Sequence, residues 1–294
     1  MNVLEGPRVE RRHVVYRGTA YWVDVEGAEL VLPDGRRVAE SEVLHLPPCS
    51  PSKIIGTHVA FWSRHKETRP ERAAVTPTYF TKPPTSLNGH GGELVRPASC
   101  QYLNYEGEIA VVIGRVTRNV TREEAWDCIG GFTVANDVGL HDFRDTDAGS
   151  MLRVKGMDGF CPLGPGIVTG VDVRQATIRT WLNGQLVQQG AVAEEMIFPI
   201  DYQIADLARY ITLLPGDVIL SGTPANSRPM QPGDVVEVEV TGLGRLRNHV
   251  VSGPDPRAVV GHMPTDSAEV RRVALGFDDR LPPGLTRVQV PKRS

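Results

Sequence analysis

A mainly β fold with short helices (α+β) is what this 294-residue sequence predicts, on three observations. Its 30 glycines and 23 prolines punctuate many short β-branched runs, the pattern of an irregular β-rich body rather than a helical bundle. In QPGDVVEVEVTGLGRLRNHVV, Val236, Val238 and Val240 alternate with Glu237 and Glu239, and the chain turns at Gly242 to Gly244, which reads as a hairpin. Helical spacing, by contrast, is confined to a few short stretches.

Taken in order, residues 12–46 give the alternating segments HVVYRG, AYWVDV and ELVLPDGRRV, with a hairpin signal at Asp34-Gly35. They predict a small N-terminal β-rich module, residues 1–52, ending in the Pro-rich LPPCSPSK. KIIGTHVAFW opens a new apolar run, and the polar SRHKETRPER at 63–72 reads as a solvated loop, short helix or lid. Thr121 and Glu124 have capping-box spacing, with Gly130 and Gly131 as a stop, so one short helix separates the apolar runs around 109–113 and 132–138. IFPIDYQIADLARYITL at 197–213 carries Ile204, Leu207, Ala208 and Ile211 at helical spacing. The main body therefore spans 53–255. A C-terminal extension, 256–294, is Pro-rich, with a helical candidate in DSAEVRRVALG and a loosely held tail.

The bulk numbers exclude several classes. A formal net charge of -3 leaves no basic footprint for nucleic acid and no polybasic stretch for a membrane surface. No run of eighteen apolar residues and no N-terminal apolar h-region occurs, so neither a membrane span nor a secretory signal is expected, and the location expected is cytoplasmic. Cys49, Cys100, Cys128 and Cys161 lack CxxC spacing and are expected as reduced structural thiols.

The stretch YEGEIAVVIG sets Glu106 and Glu108 two residues apart at the mouth of an apolar strand. On a strand they share a face, where like charges repel and each loses hydration, so something compensates them or the strand end lies in water. Asp137 ends the neighbouring apolar run, FTVANDV. Three carboxylates at two strand ends, without a Lys or Arg close in sequence, suit a hard divalent cation such as Mg²⁺. On spacing alone, this and the solvated strand end both remain open. HExxH, GxSxG, the P-loop and GxGxxG are all absent. HDFRDTDAG lacks the register of a calcium loop, and Asp142, Asp145 and Asp147 are expected as solvated loop residues or local caps.

The blocks YLNYEGEIAVVIGR, GGFTVANDVGLHDF, RVKGMDGFCPLGPGIV, LPGDVILSGTP and GDVVEVEVTGLGRLRN, all in order over about 53–252, resemble the fumarylacetoacetate hydrolase family. They look most like its homoprotocatechuate branch of 5-carboxymethyl-2-oxo-hex-3-ene-1,7-dioate decarboxylases and 2-hydroxyhepta-2,4-diene-1,7-dioate isomerases. The resemblance implies a rolled, mixed β-sheet, usually in a homodimer, with Mg²⁺ or Mn²⁺ bound by Glu106, Glu108 and Asp137. It places Lys155, in RVKGMDG, where an ammonium stabilises an enolate or moves a proton. Lys82, in FTKPPTSL, matches a block lining the family's site, a solvated lysine being the alternative. Gly222 and Thr223 match a tripeptide that contacts a substrate carboxylate. Arg144 stands where relatives often carry glutamine, and an arginine there would hold a distal carboxylate unless it pairs with Asp142 or Asp145.

One departure concerns the lid. Relatives that hydrolyse C–C bonds carry a His-x-x-Glu pair that activates water. Here Arg64 aligns with that histidine and Glu67 with the glutamate, while His65 is one residue out of register. Ala60 replaces an asparagine, and His141 an arginine. The expectation is a divalent-metal-dependent decarboxylase and/or isomerase acting on a 2-oxo-alkene di- or tricarboxylic acid through a metal-stabilised enolate. The alternatives are a C–C hydrolase of acylpyruvates using His65 and Glu67, and a catalytically altered biosynthetic relative.

Overall fold

The computed structural model describes residues 3–68, 75–147 and 149–276. A sheet of twelve strands forms the body. From one edge the order runs Arg37–Ala39, Glu29–Val31, Thr19–Glu26, Val9–Tyr16, Cys161–Thr169, Ile129–Asn136, Gly107–Ile113, Val218–Leu220, Ile54–His58 and Thr78–Lys82. Leu44–His45 pairs with the fourth of these, and Leu87–Asn88 with the fifth. A five-stranded sheet (Gln185–Ala191, Thr177–Leu182, Val235–Val240, Gly244–Gly253, Glu93–Pro97) packs against it. Three short strands, Gly139–Leu140, Leu103–Asn104 and Pro229–Met230, form a third.

Burial explains the central strand. All seven residues of Gly107–Ile113 are buried, because both faces of the large sheet are covered. Ile109, Val111, Phe132 and Val134 meet Ile178, Val238 and Leu246 of the second sheet and Ile204 and Leu207 of a helix. On the other face, Ala110 and Val112 pack with Ala135, Leu163 and Leu220. Truncating Phe132, which has no exposed surface, would cost about 3–5 kcal/mol. The second sheet comes close at Gly107, where a Cβ would lie 2.4 Å from Thr180 Oγ1 and 2.9 Å from Val238 Cγ1. Only glycine fits between the two glutamates.

The expected hairpins form. Asp34-Gly35 turns the chain with Gly35 at φ 84°, and Val235–Val240 pairs with Gly244–Gly253. Thr121 caps the short helix Arg122–Ala125 through a reciprocal pair with Glu124. The N-terminal strands are continuous with the main sheet, since Val9, Glu10 and Arg11 pair with Thr169, Val168 and Ile167. The helix read over 197–213 is shorter, Ile200–Ala208. Ile211 lies beyond it and is 43% exposed, because the chain leaves the core once Ala208 is buried. The polar stretch after Phe61 begins as a helix, Trp62–Thr68, whose Arg64, His65 and Glu67 are buried rather than solvated; residues 69–72 lie outside the described residues. All four cysteines are buried and free.

Asp142 and Asp147 are buried too, contrary to a solvated loop. Their carboxylates replace water with backbone donors: Asp142 accepts from the N–H groups of Gln101 (2.9 Å) and Tyr102 (2.8 Å), and Asp147 from those of Arg153 and Val154 (2.8 Å). They act as local caps for neighbouring segments. Asp145 accepts from Thr265 Oγ1. Among the described residues no helix is long and apolar enough to cross a membrane.

Candidate active site

Sheet register brings the three carboxylates together. Gly107 pairs with Asn136, and one step outward the Asp137 N–H donates to the Glu106 carbonyl at 2.8 Å. Asn136 Oδ1 accepts from the Glu106 N–H at 2.8 Å, fixing the strand end. Glu106, Glu108 and Asp137 each offer an oxygen within 4.8 Å of the others, and all three are buried. They line a cavity of about 610 Å³ shared with Arg64, His141, Arg144, Lys155 and Thr223.

The compensating charges arrive from distant segments. Lys155 Nζ lies 2.7 Å from Glu106 Oε2 and 2.9 Å from Asp137 Oδ2, and also donates to the Asp137 carbonyl. Lys82, also buried, pairs with Asp137 Oδ1 and donates to the carbonyl of Phe160 at 2.8 Å. Arg64 Nη2 reaches Glu106 Oε1 at 3.2 Å. Glu108 is different: it accepts the Gly222 N–H at 2.7 Å, and no lysine or arginine among the described residues pairs with it. Burial, then the charges of Asp137 and Glu106, push the Glu108 carboxyl well above the usual range. Burial also opposes ionisation of Glu106, but Lys155 and Arg64 outweigh it and hold that carboxyl below its ordinary value. Burial opposes the charge on Lys155, and Asp137 and Glu106 reverse this, raising its pKa.

The residues proposed for the lid separate. Arg64 lines the cavity, whereas His65 stacks edge-on against Trp62 at 5.7 Å and is not part of its lining. Glu67 is held between Arg64 Nη1 and Arg228 Nη2, both at 2.7 Å, and accepts the Asn226 N–H at 3.1 Å. Burial is outweighed by these arginines, which keep Glu67 below the usual carboxylate range. Thr223 Oγ1 accepts from Gln188 Nε2 at 3.1 Å, so its own proton is left to donate. Gly222 carries φ 97° and a Cβ there would lie 2.6 Å from the Cβ of Ala60. Arg144 lines the cavity beside Met151, whose sulfur lies 2.9 Å from Nη1.

Sequence reasoning did not assign roles to Arg228, Gln188, His58 or Arg272, which come from segments with no motif of their own. His141 stands where relatives carry an arginine; it is buried, and among the described residues neither ring nitrogen has a hydrogen-bond partner. Burial, then Lys155 and Arg144, push its pKa well below the usual value, so the ring is neutral. A second cluster, Glu40, His45 and His90, does not line the cavity. Arg12 takes Glu40 at 2.6 Å and the Arg247 N–H takes His90 Nδ1 at 3.2 Å.

The acidic trio fits a divalent cation on this geometry. Its donors are all carboxylate oxygens, as hard cations require, and Glu108 is a buried carboxylate facing two others without a paired cation.

The chain belongs to the fumarylacetoacetate hydrolase family: the model of the fumarylacetoacetate (FAA) hydrolase C-terminal domain matches residues 53–251. Over 179 residues it is 42% identical to the 4-hydroxyphenylacetate degradation bifunctional isomerase/decarboxylase of Escherichia coli. The match covers 60% of this chain and 42% of that one, so the chain spans well under half of that relative's length. The crystal structure of 5-carboxymethyl-2-hydroxymuconate delta-isomerase from Mycobacterium smegmatis superposes with a TM-score of 0.76 at 33% identity, covering 84% of this chain and all of the other. The fold is also shared, at TM-score 0.71 and 24% identity over 83% of this chain and 99% of the other, by maleylpyruvate hydrolase from Sphingobium sp. SYK-6, solved with manganese(II) and pyruvate.

Proposed function

We propose that this protein is a divalent-metal-dependent decarboxylase and/or isomerase acting on a 2-oxo-alkene di- or tricarboxylic acid. The observation that carries this is the buried trio Glu106, Glu108 and Asp137 opening with Lys155 into one cavity. Mg²⁺ or Mn²⁺ held by these three residues would supply Lewis-acid stabilisation of the negative charge that develops on the oxygen of a 2-oxo acid. The protein's own groups do the rest. Lys155 stands as an ammonium at the cavity floor, placed to donate a proton or to stabilise an enolate. Thr223 Oγ1, its acceptor side used by Gln188, donates to a substrate carboxylate. Arg144 lines the same cavity and adds positive charge for an anionic substrate, and Lys82 fixes the position of Asp137.

Hydrolysis of a C–C bond needs a base that takes a proton from water. The lid position facing the cavity is Arg64, whose guanidinium cannot accept one. Glu67 is engaged by two guanidinium groups, and His65 lies outside the cavity lining. These placements, and the isomerase and decarboxylase relatives named above, favour the decarboxylase/isomerase reading over the acylpyruvate hydrolase.

The test is ultraviolet-monitored turnover of acetylpyruvate, oxaloacetate, fumarylpyruvate and 5-carboxymethyl-2-oxo-hex-3-ene-1,7-dioate, with and without Mg²⁺, using Glu106→Ala as the blank. CO₂ release or double-bond migration in the last acid, dependent on added metal, is expected. Fast cleavage of acetylpyruvate or fumarylpyruvate to pyruvate, without decarboxylation or isomerisation, would overturn the proposal.

A further inference from the structure

The C-terminal helix, Ala268–Leu275, begins beyond the segment matched by the family, which ends at residue 251. It nevertheless forms part of the catalytic cavity, since Arg272 and Val273 line it. Ser267 caps the helix by accepting the Val270 N–H at 3.1 Å, and Val270 and Ala274 bury against Tyr102. Asn104 Nδ2 donates to the Ala274 carbonyl at 2.8 Å, and Tyr102 donates to Asp266 at 2.6 Å. Both anchors lie just before Glu106 in the chain. Thr265 N–H donates to the Asp142 carbonyl at 2.9 Å, fixing the approach from the segment that carries Arg144. At the helix end, a Cβ on Gly276 would lie 2.6 Å from Glu67 Oε1, so the backbone closes directly over the Glu67–Arg228 pair. Glycine is needed there.

Depth orders the groups in the cavity. Glu106, Glu108 and Asp137 are 8%, 2% and 1% exposed, at its floor. The Arg272 side chain is 35% exposed, at its rim, where it pairs with Glu269 one helical turn earlier. Glu269 also feels the charge of Arg144. Arg272 is thus paired with a carboxylate of the chain itself while its side chain lines the cavity.

We propose that Arg272 binds the distal carboxylate of an elongated 2-oxo diacid whose 2-oxo carboxylate end sits at the acidic floor, and that Glu269 occupies Arg272 until this carboxylate replaces it. This rests on the reading of the floor as a 2-oxo acid site. It adds a specificity residue supplied by the C-terminal extension. A guanidinium suits the role because it presents paired donors to a planar carboxylate.

Calorimetric titration of the Mg²⁺-loaded full chain with 2-oxoadipate and with 2-oxohexanoate tests this. The two probes have the same chain length, and only the first carries a distal carboxylate. Arg272→Ala is expected to weaken 2-oxoadipate roughly fivefold, the worth of a half-exposed pair, and to leave 2-oxohexanoate unchanged within about twofold. Arg272→Lys should recover part of the loss, and Glu269→Gln should tighten 2-oxoadipate alone. Equal effects of Arg272→Ala on both probes, or none on either, would overturn the role of Arg272. Binding of both probes that is indifferent to Mg²⁺ would instead overturn the metal-dependent reading while leaving the Arg272 comparison valid. Failure of the wild-type chain to bind either probe would overturn both.

Discussion

Replacing Glu67 by alanine should destabilise the protein strongly. Glu67 is 6% exposed, and its two arginine partners, Arg64 and Arg228, are 5% and 6% exposed. Its carboxylate accepts from both at 2.7 Å and from the Asn226 N–H at 3.1 Å. In the variant Arg64 retains Glu106, but among the described residues Arg228 retains only the Ser227 carbonyl, at 2.7 Å. Water does not screen these groups, so the loss is that of breaking a buried pair, about 3 kcal/mol or more. At roughly 2–4 °C per kcal/mol for a domain of this order, the melting midpoint should fall by at least ~6 °C in a circular-dichroism melt. Glu67→Gln keeps an acceptor oxygen and should lose less. A midpoint for Glu67→Ala within about 2 °C of wild type would refute the argument that this carboxylate is clamped by the two arginines.

Two further outcomes follow from single groups. Burial, then the charge of His45, hold His90 down to about 4 from 6.5. The unfolded chain therefore takes up this proton first, stability falls as the pH drops from 6.5 towards 4 by up to about 3 kcal/mol, and the urea midpoint of His90→Asn should lack that slope; an unchanged slope would sink the assignment. Gly222→Ala places a Cβ 2.6 Å from that of Ala60 at φ 97°, a strain of about 1–3 kcal/mol that would move the N–H serving Glu108. It should weaken Mn²⁺ binding measured by calorimetry, and affinity equal to wild type would show that this N–H does not position Glu108.

How far the sequence carried the account depended on range. The alternation of Val236, Val238 and Val240, the Asp34-Gly35 turn and the Thr121 capping box are local signals, and each appears in the structure. Glu106 and Asp137 were legible as a pair because strand ends in adjacent runs meet when the runs pair. Spacing alone did not pair cations with them, since Arg64, Lys82 and Lys155 come from three separated segments joined only by folding, and only the family resemblance pointed to Lys82 and Lys155. Spacing likewise did not pair Arg228 with Glu67 or place Arg272 in the cavity. At Asp142 and Asp147 the sequence left a solvated loop and local caps both open; caps form, because a short carboxylate can be buried when nearby backbone N–H groups replace its water. Polarity misled at 64–67, where opposite charges bury one another. Nor does a strand's sequence name its partner, so the pairing of the N-terminal strands with the main sheet was not legible.

Metal binding by the acidic trio is tested by a calorimetric titration of metal-free protein with Mn²⁺, comparing wild type with Glu108→Gln. Glu108 is the carboxylate without a paired cation, and the amide keeps its size and its acceptor for the Gly222 N–H. One Mn²⁺ bound per chain is expected for the wild type, with a loss of at least about tenfold in affinity in the variant. Equal affinity in the two proteins, or no binding by the wild type, would contradict it.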